Sequence, residues 1–130
     1  MNTEDRSDVE YYTSEQLKGL PFSAAVRVGR MLYLSGQIGI DGSGKLVAGG
    51  ISAETRQAME NIRATLEQYG SSLEHVIKAT VMLADMSEWS EMNKIYVTYF
   101  DKHFPARSAL GANGLALGAR VEIECVAVLK

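Results

Sequence analysis

A stretch near the C-terminus decides the fold class: Val121-Glu122-Ile123-Glu124-Cys125-Val126-Ala127-Val128, which continues into Leu129. Its odd-numbered residues are all apolar, whereas its even-numbered residues are two acids followed by two valines. Successive side chains of a β-strand point to opposite faces of the sheet, so this alternation predicts a strand with one wholly buried face. Residues 76–83 alternate in a similar way, which predicts a second such strand with a buried face made of Ile77, Ala79, Val81 and Leu83.

Two further segments carry apolar residues at three- and four-residue steps, which is typical of amphipathic helices. We expect Ser52 to cap the first helix and Gly70 to end it; its apolar stripe is Ala58, Met59, Ile62, Leu66 and Tyr69. We expect Ser87 to cap the second helix, which ends before Pro105 and has the stripe Trp89, Met92, Ile95, Tyr96, Tyr99 and Phe100. Shorter extended segments are predicted at 23–28, 31–35, 45–47 and 107–110, and residues 9–12 could join a sheet edge.

The order of these elements predicts an α+β fold, with a mixed sheet of five to six strands and both helices on one face. The 130 residues are enough for one domain, which we expect to span 1–130 with mobile residues 1–8. With no signal peptide and no apolar run long enough to span a bilayer, we expect a cytoplasmic protein without membrane contact.

Charge and composition exclude several functional classes. The 13 basic against 16 acidic residues give a net charge of −3, which makes nucleic acid an unlikely partner. A single cysteine excludes an internal disulfide, and the two histidines show no metal-ligand spacing. No phosphate-binding glycine motif is present, and with one cysteine a metal site built on thiolates is excluded.

The face of the sheet opposite the helices predicts an assembly. It would carry Met82, Val126 and Val128, and no segment of the chain remains to cover them. Exposed apolar patches of this kind usually mark an interface, so we expect a homo-oligomer packed through this face. The alternative is a monomer with scattered exposed valines.

A few polar residues stand where they could carry chemistry. Arg107 follows Pro105 at the start of a short strand, and its planar fork suits a carboxylate ligand; the alternative is a surface ion pair. Glu122 lies on the predicted interface face, where restricted water would raise its pKa; an edge charge that prevents aggregation is the alternative. Glu124 shares that face, and the pattern alone does not choose between the two acids.

Five segments, taken in order, resemble the reactive intermediate deaminase A family, also called YjgF/YER057c/UK114 and often described as endoribonuclease L-PSP. They are Ser35-Gly36-Gln37-Ile38, Asn61, Asn93, Pro105-Ala106-Arg107-Ser108 and residues 121–128. The resemblance runs from about Pro21 to the C-terminus. It implies a chorismate-mutase-like fold of the bacillus type and a homotrimer with active sites between subunits. The implied activity converts enamines and imines, such as 2-aminoacrylate and 2-iminopropionate, to 2-oxo acids and ammonia without a cofactor or metal.

The resemblance also implies roles for individual residues. Arg107 corresponds to the arginine that binds the substrate carboxylate, and Glu122 to the glutamate that positions and activates water. The positions that line or support the same cleft are Phe22, Ser35, Gly36, Asn93 and Ala109. Two of these depart from the pattern: Phe22 stands where the family often has tyrosine, and Ala109 where many deaminating members have cysteine. A metabolite-binding or regulatory trimer is therefore an alternative function, and an endoribonuclease a more remote one.

Overall fold

The computed structural model describes residues 8–130, which form one mixed sheet and two α-helices. The seven strands are β1 (Val9–Tyr12), β2 (Ala25–Val28), β3 (Met31–Leu34), β4 (Gln37–Ile38), β5 (Val76–Leu83), β6 (Ala106–Gly111) and β7 (Val121–Val128). The helices are α1 (Gly50–Gln68) and α2 (Trp89–Tyr96). Residues 1–7, to which most of the predicted mobile segment belongs, lie outside the described residues.

Strand β7 is central to the sheet, whose order is β1-β2-β3-β7-β5-β6, with β4 also paired to β7. Among the strands of residues 8–130, only β5 and β6 pair in parallel; the other neighbouring strands are antiparallel. The α+β prediction is confirmed, but the sheet has seven strands rather than five to six. Strand β1 confirms the prediction that residues 9–12 could join a sheet edge. Strand β4 was not predicted; it is short and pairs with β7 after β3 ends and the chain passes through Ser35-Gly36.

The helices cover one face of the sheet, and the core lies between them. Strand β7 contributes Val121, Ile123, Cys125 and Ala127 to this core, which confirms the predicted buried face of that strand. The prediction for β5 is wrong at its start. A β-bulge shifts the pairing between Val76 and Lys78, so Val76 is buried and Ile77 is 46% exposed. A β-bulge inserts one extra residue, so the residues before it face the opposite side of the sheet from the side that simple alternation predicts. The sequence pattern alone does not reveal the bulge.

Both predicted helix caps are wrong, for different reasons. Helix α1 begins at Gly50, two residues before Ser52, because Gly49 turns the chain with a left-handed φ of 118°. Before α2, the Asp85 side chain accepts a 2.9 Å hydrogen bond from the Ser87 backbone N–H, so Asp85 rather than Ser87 caps this turn. The predicted end of α1 is confirmed, since Gly70 follows Tyr69 with a φ of 91°.

The segment predicted as a strand at 45–47 makes only one isolated bridge, between Ile40 and Leu46. Asp41 holds the intervening turn, because its side chain accepts hydrogen bonds from the backbone N–H groups of Ser43 and Lys45. This leaves β4 short and its neighbour Gly39 buried against α1.

The face of the sheet opposite the helices is not covered by any part of residues 8–130; we call it the outer face. Strand pairing places Val28, Tyr33, Val126, Met82 and Leu110 on it, and Val28, Tyr33 and Leu110 are exposed. An exposed apolar surface of this kind is a property of interfaces. None of the helices formed by residues 8–130 is long and apolar enough to cross a membrane.

Candidate active site

Glu122 and Gly36 meet on the outer face, where β4 runs beside β7. Glu122 pairs in register with Ile38 and Met82, and its carboxylate lies against the Gly36 backbone. A Cβ added at Gly36 would overlap the Glu122 carboxylate, with 2.9 Å to Cδ and 3.1 Å to Cγ. The absence of a side chain at residue 36 is therefore what leaves room for this carboxylate.

Glu122 is half-buried, whereas Glu124 is exposed. Burial raises the pKa of Glu122 above its ordinary value, because water no longer stabilises the charged form fully, and the negative charge of Glu124 adds to this effect. A carboxylate with a raised pKa in a restricted space is a usual proton acceptor and donor in enzymes. The structure thus distinguishes two acids that the alternation of the strand left equivalent.

Ser35 and Phe22 lie next to this part of the sheet. The Ser35 hydroxyl donates a 2.5 Å hydrogen bond to the backbone carbonyl of Ser23, and Phe22 is the preceding residue. The bond joins the segment that precedes β2 to the end of β3. Phe22 is 48% exposed and lines an open cavity of about 530 Å³ together with residues 13–15 and 17–20.

Arg107 stands on edge strand β6, below α2. Its guanidinium Nη1 donates a 2.7 Å hydrogen bond to the Asn93 side-chain oxygen. Its Cζ lies 4.8 Å from the centre of the Tyr96 ring and 5.8 Å from the centre of the Trp89 ring. Within residues 8–130 no carboxylate forms an ion pair with Arg107, which contradicts the alternative that it is a surface ion pair.

A cavity of about 270 Å³ opens beside the guanidinium of Arg107. The polar side chains of Asn93 and Arg107 line it together with the largely apolar side chains of Tyr96, Val97, Phe104 and Pro105. Ala109, two residues after Arg107 on the same face of β6, pairs with buried Val81. A small carboxylate ligand placed here would meet an uncompensated positive charge.

The two groups of residues do not meet within one chain. Arg107 pairs with Ala79, and Ala79 with Cys125, both buried beneath the helices. Glu122 pairs with Met82 on the outer face. The structure therefore brings Gly36 to Glu122 and Asn93 to Arg107, but it separates Glu122 from Arg107 by the sheet. Residues 8–130 contain no cluster of three or more His, Cys, Asp or Glu side chains suited to a metal ion.

The model of the family described as Endoribonuclease L-PSP matches residues 14–129, nearly the whole chain. The chain belongs to the endoribonuclease L-PSP family. The predicted resemblance to the reactive intermediate deaminases is confirmed by relatives with that activity in their names. A mouse protein named 2-iminobutanoate/2-iminopropanoate deaminase is 47% identical over 109 residues, which cover 83% of this chain and 81% of the mouse protein.

Solved structures agree with the membership in the endoribonuclease L-PSP family. A yeast protein, YEO7, is 35% identical, with a TM-score of 0.89 over 94% of this chain and 99% of the yeast chain. A protein called RidA from an Antarctic Psychrobacter is 33% identical, with a TM-score of 0.83 over 95% of this chain and all of the other. The fold described above is thus the fold of its family.

Two residues of this endoribonuclease L-PSP member were not among the predicted site residues: Tyr96 and Trp89. The sequence placed both in the apolar stripe of α2 and gave them only a packing role. A signal was present, because Trp89, Asn93 and Tyr96 follow one another at four- and three-residue steps and so share a helix face. The shared helix face could be connected with Arg107 only once the structure showed that β6 lies beneath that face.

Proposed function

We propose that this protein hydrolyses 2-imino acids such as 2-iminopropanoate and 2-iminobutanoate to 2-oxo acids and ammonia. The proposal is supported by the name of the mouse relative and by the identity of nearly half the aligned residues. The observation that carries it is the state of Arg107, a half-buried guanidinium held by neutral groups and without a carboxylate partner in residues 8–130.

Arg107 binds the substrate carboxylate. Its planar fork can donate two parallel hydrogen bonds to two carboxylate oxygens, a geometry that a lysine ammonium does not offer. Asn93 accepts one N–H of the guanidinium and so fixes its rotation. Binding by a fixed fork places the neighbouring imine carbon at one position, which is the main requirement for attack by a water molecule.

Glu122 positions that water and moves the protons. The ionised carboxylate accepts one proton as the water oxygen bonds to the carbon of the protonated imine, which gives a neutral tetrahedral carbinolamine. The carboxyl group then gives that proton to the nitrogen, and the regenerated carboxylate accepts the hydroxyl proton as the carbon–nitrogen bond breaks. Ammonia leaves with the electron pair of that bond, the carbonyl of the 2-oxo acid forms, and the carboxyl group returns its proton to the solvent. No electrons are gained or lost overall, so the chemistry needs no redox cofactor. Such acid–base help contributes roughly 10²–10⁴-fold in rate.

The site is completed by a second copy of the chain. Arg107 and Glu122 lie on opposite faces of one sheet, so a single imine cannot contact both within one chain. The exposed apolar outer face supports packing between copies, and the family resemblance supports a ring of three. We therefore place Phe22, Ser35, Gly36 and Glu122 of one copy opposite Asn93, Arg107 and Ala109 of the next.

The experiment is to form 2-iminopropanoate in situ with an amino acid oxidase and to measure how far the protein accelerates its hydrolysis over the uncatalysed reaction. Wild-type protein should accelerate it, and Arg107→Lys should not rescue the loss that Arg107→Ala causes. A wild-type protein that binds 2-oxobutanoate without accelerating the hydrolysis would instead support the alternative of a metabolite-binding protein.

A further inference from the structure

We propose that Tyr96, assisted by Trp89, is a positioning residue that holds the Arg107 guanidinium in place for the substrate carboxylate without neutralising its charge. This inference rests on the proposed function. Tyr96 acts through Arg107, whose guanidinium lies over its ring.

The Tyr96 ring is suited to this role because it is itself fixed. The residue is 4% exposed and belongs to the core under α2. Its ring also packs against that of Phe100, with centres 5.0 Å apart. A guanidinium 4.8 Å above such a ring is attracted by the negative face of the aromatic system, most strongly where water is excluded.

The ring, rather than the hydroxyl, carries the effect. In residues 8–130 the buried Tyr96 hydroxyl has no hydrogen-bond partner. Burial raises the pKa of Tyr96 to about 12, so the side chain is neutral at physiological pH and offers Arg107 no negative charge. A phenylalanine at this position would present the same aromatic face to the guanidinium.

An aromatic support has a consequence that an ion pair would not have. A carboxylate partner would take the donors at the edge of the guanidinium and cancel its charge. The face of an aromatic ring offers no oxygen that could occupy the N–H donors of the guanidinium, so the donors not used by Asn93 stay available for a ligand. The centre of the Trp89 ring lies farther from Arg107 Cζ, at 5.8 Å, and Trp89 is partly exposed, so Trp89 contributes less than Tyr96 to holding the guanidinium.

The test compares Tyr96→Leu, Tyr96→Phe and Trp89→Leu in the assembled protein, with Met92→Val as the control. Met92 is a fully buried residue of the same helix. We measure kcat and KM for imine hydrolysis and, separately, the Kd of 2-oxobutanoate by calorimetry. Tyr96→Leu should raise KM and Kd about tenfold, with kcat nearly unchanged, because a desolvated cation–π contact of this kind is lost.

Three further results are expected. Tyr96→Phe should restore wild-type KM and Kd, Trp89→Leu should raise both less than Tyr96→Leu does, and Met92→Val should lower the melting temperature without changing KM. The inference is overturned if Tyr96→Leu keeps wild-type KM and Kd, or if Tyr96→Phe is as impaired as Tyr96→Leu. A wild-type protein that neither hydrolyses the imine nor binds 2-oxobutanoate contradicts the proposed function, and this inference with it.

Discussion

At the scale of single residues, the two carboxylates on the outer face of β7 differ in surroundings rather than in chemistry. Glu122 is half-buried against Gly36, whereas Glu124 is exposed. Glu122→Gln keeps the size of the side chain but cannot exchange the proton. We expect kcat to fall roughly 10²–10⁴-fold in that variant with assembly unchanged. Glu124→Gln should lose little, and equal losses in both variants would show that the wrong acid has been chosen.

The raised pKa of Glu122 predicts a pH dependence. The ionised carboxylate is the active form, so kcat/KM should fall as the pH decreases through this raised pKa, earlier than for an ordinary glutamate. The charge of Glu124 helps to raise that pKa, so Glu124→Gln should move the fall to lower pH. If the pH profile of kcat/KM is unchanged in Glu124→Gln, or shifts to higher pH, this explanation is contradicted.

At the scale of elements, the packing of β4 on α1 depends on a glycine. A Cβ at Gly39 would lie 2.7 Å from the Glu54 carbonyl oxygen and 2.8 Å from the Glu54 Cα. These are backbone atoms of a helix and cannot move alone, so Gly39→Ala should lower the free energy of unfolding by about 1–3 kcal/mol or more. Gly42→Ala is the matched control, since a Cβ there has no neighbour within 4 Å. Equal unfolding midpoints for the two variants would exclude the predicted clash.

Most of the strands and helices could be predicted from the sequence, because the apolar periodicities of β7 and of the two helices follow directly from which side chains are buried. The errors occur where the backbone departs from regular geometry. The bulge between Val76 and Lys78 exposes Ile77, and the left-handed Gly49 starts α1 before Ser52. Neither feature changes the apolar pattern, so neither is visible in it.

At the scale of the whole molecule, the apolar pattern of the sequence indicated an assembly, whereas a site between subunits was implied only by the family resemblance. The outer-face residues Met82, Val126 and Val128 predict a contact between copies without any knowledge of chemistry. That Arg107 faces the helices while Glu122 faces away depends on the register of three strands, β6, β5 and β7. Only that register shows that one chain cannot hold both groups around the same imine.

The central claim, a site shared between copies, is tested most directly by mixing two inactive variants. Arg107→Ala and Glu122→Gln chains with different tags are unfolded, mixed in equal amounts and refolded, and the mixed assemblies are isolated with both tags. If each site takes Arg107 from one copy and Glu122 from its neighbour, a mixed ring of three restores both groups at one of its three interfaces, so the isolated mixed assemblies should have about a third of wild-type activity. Arg107→Ala chains carrying the two tags are the control and should stay inactive. Mixed assemblies no more active than the separate variants would contradict the account.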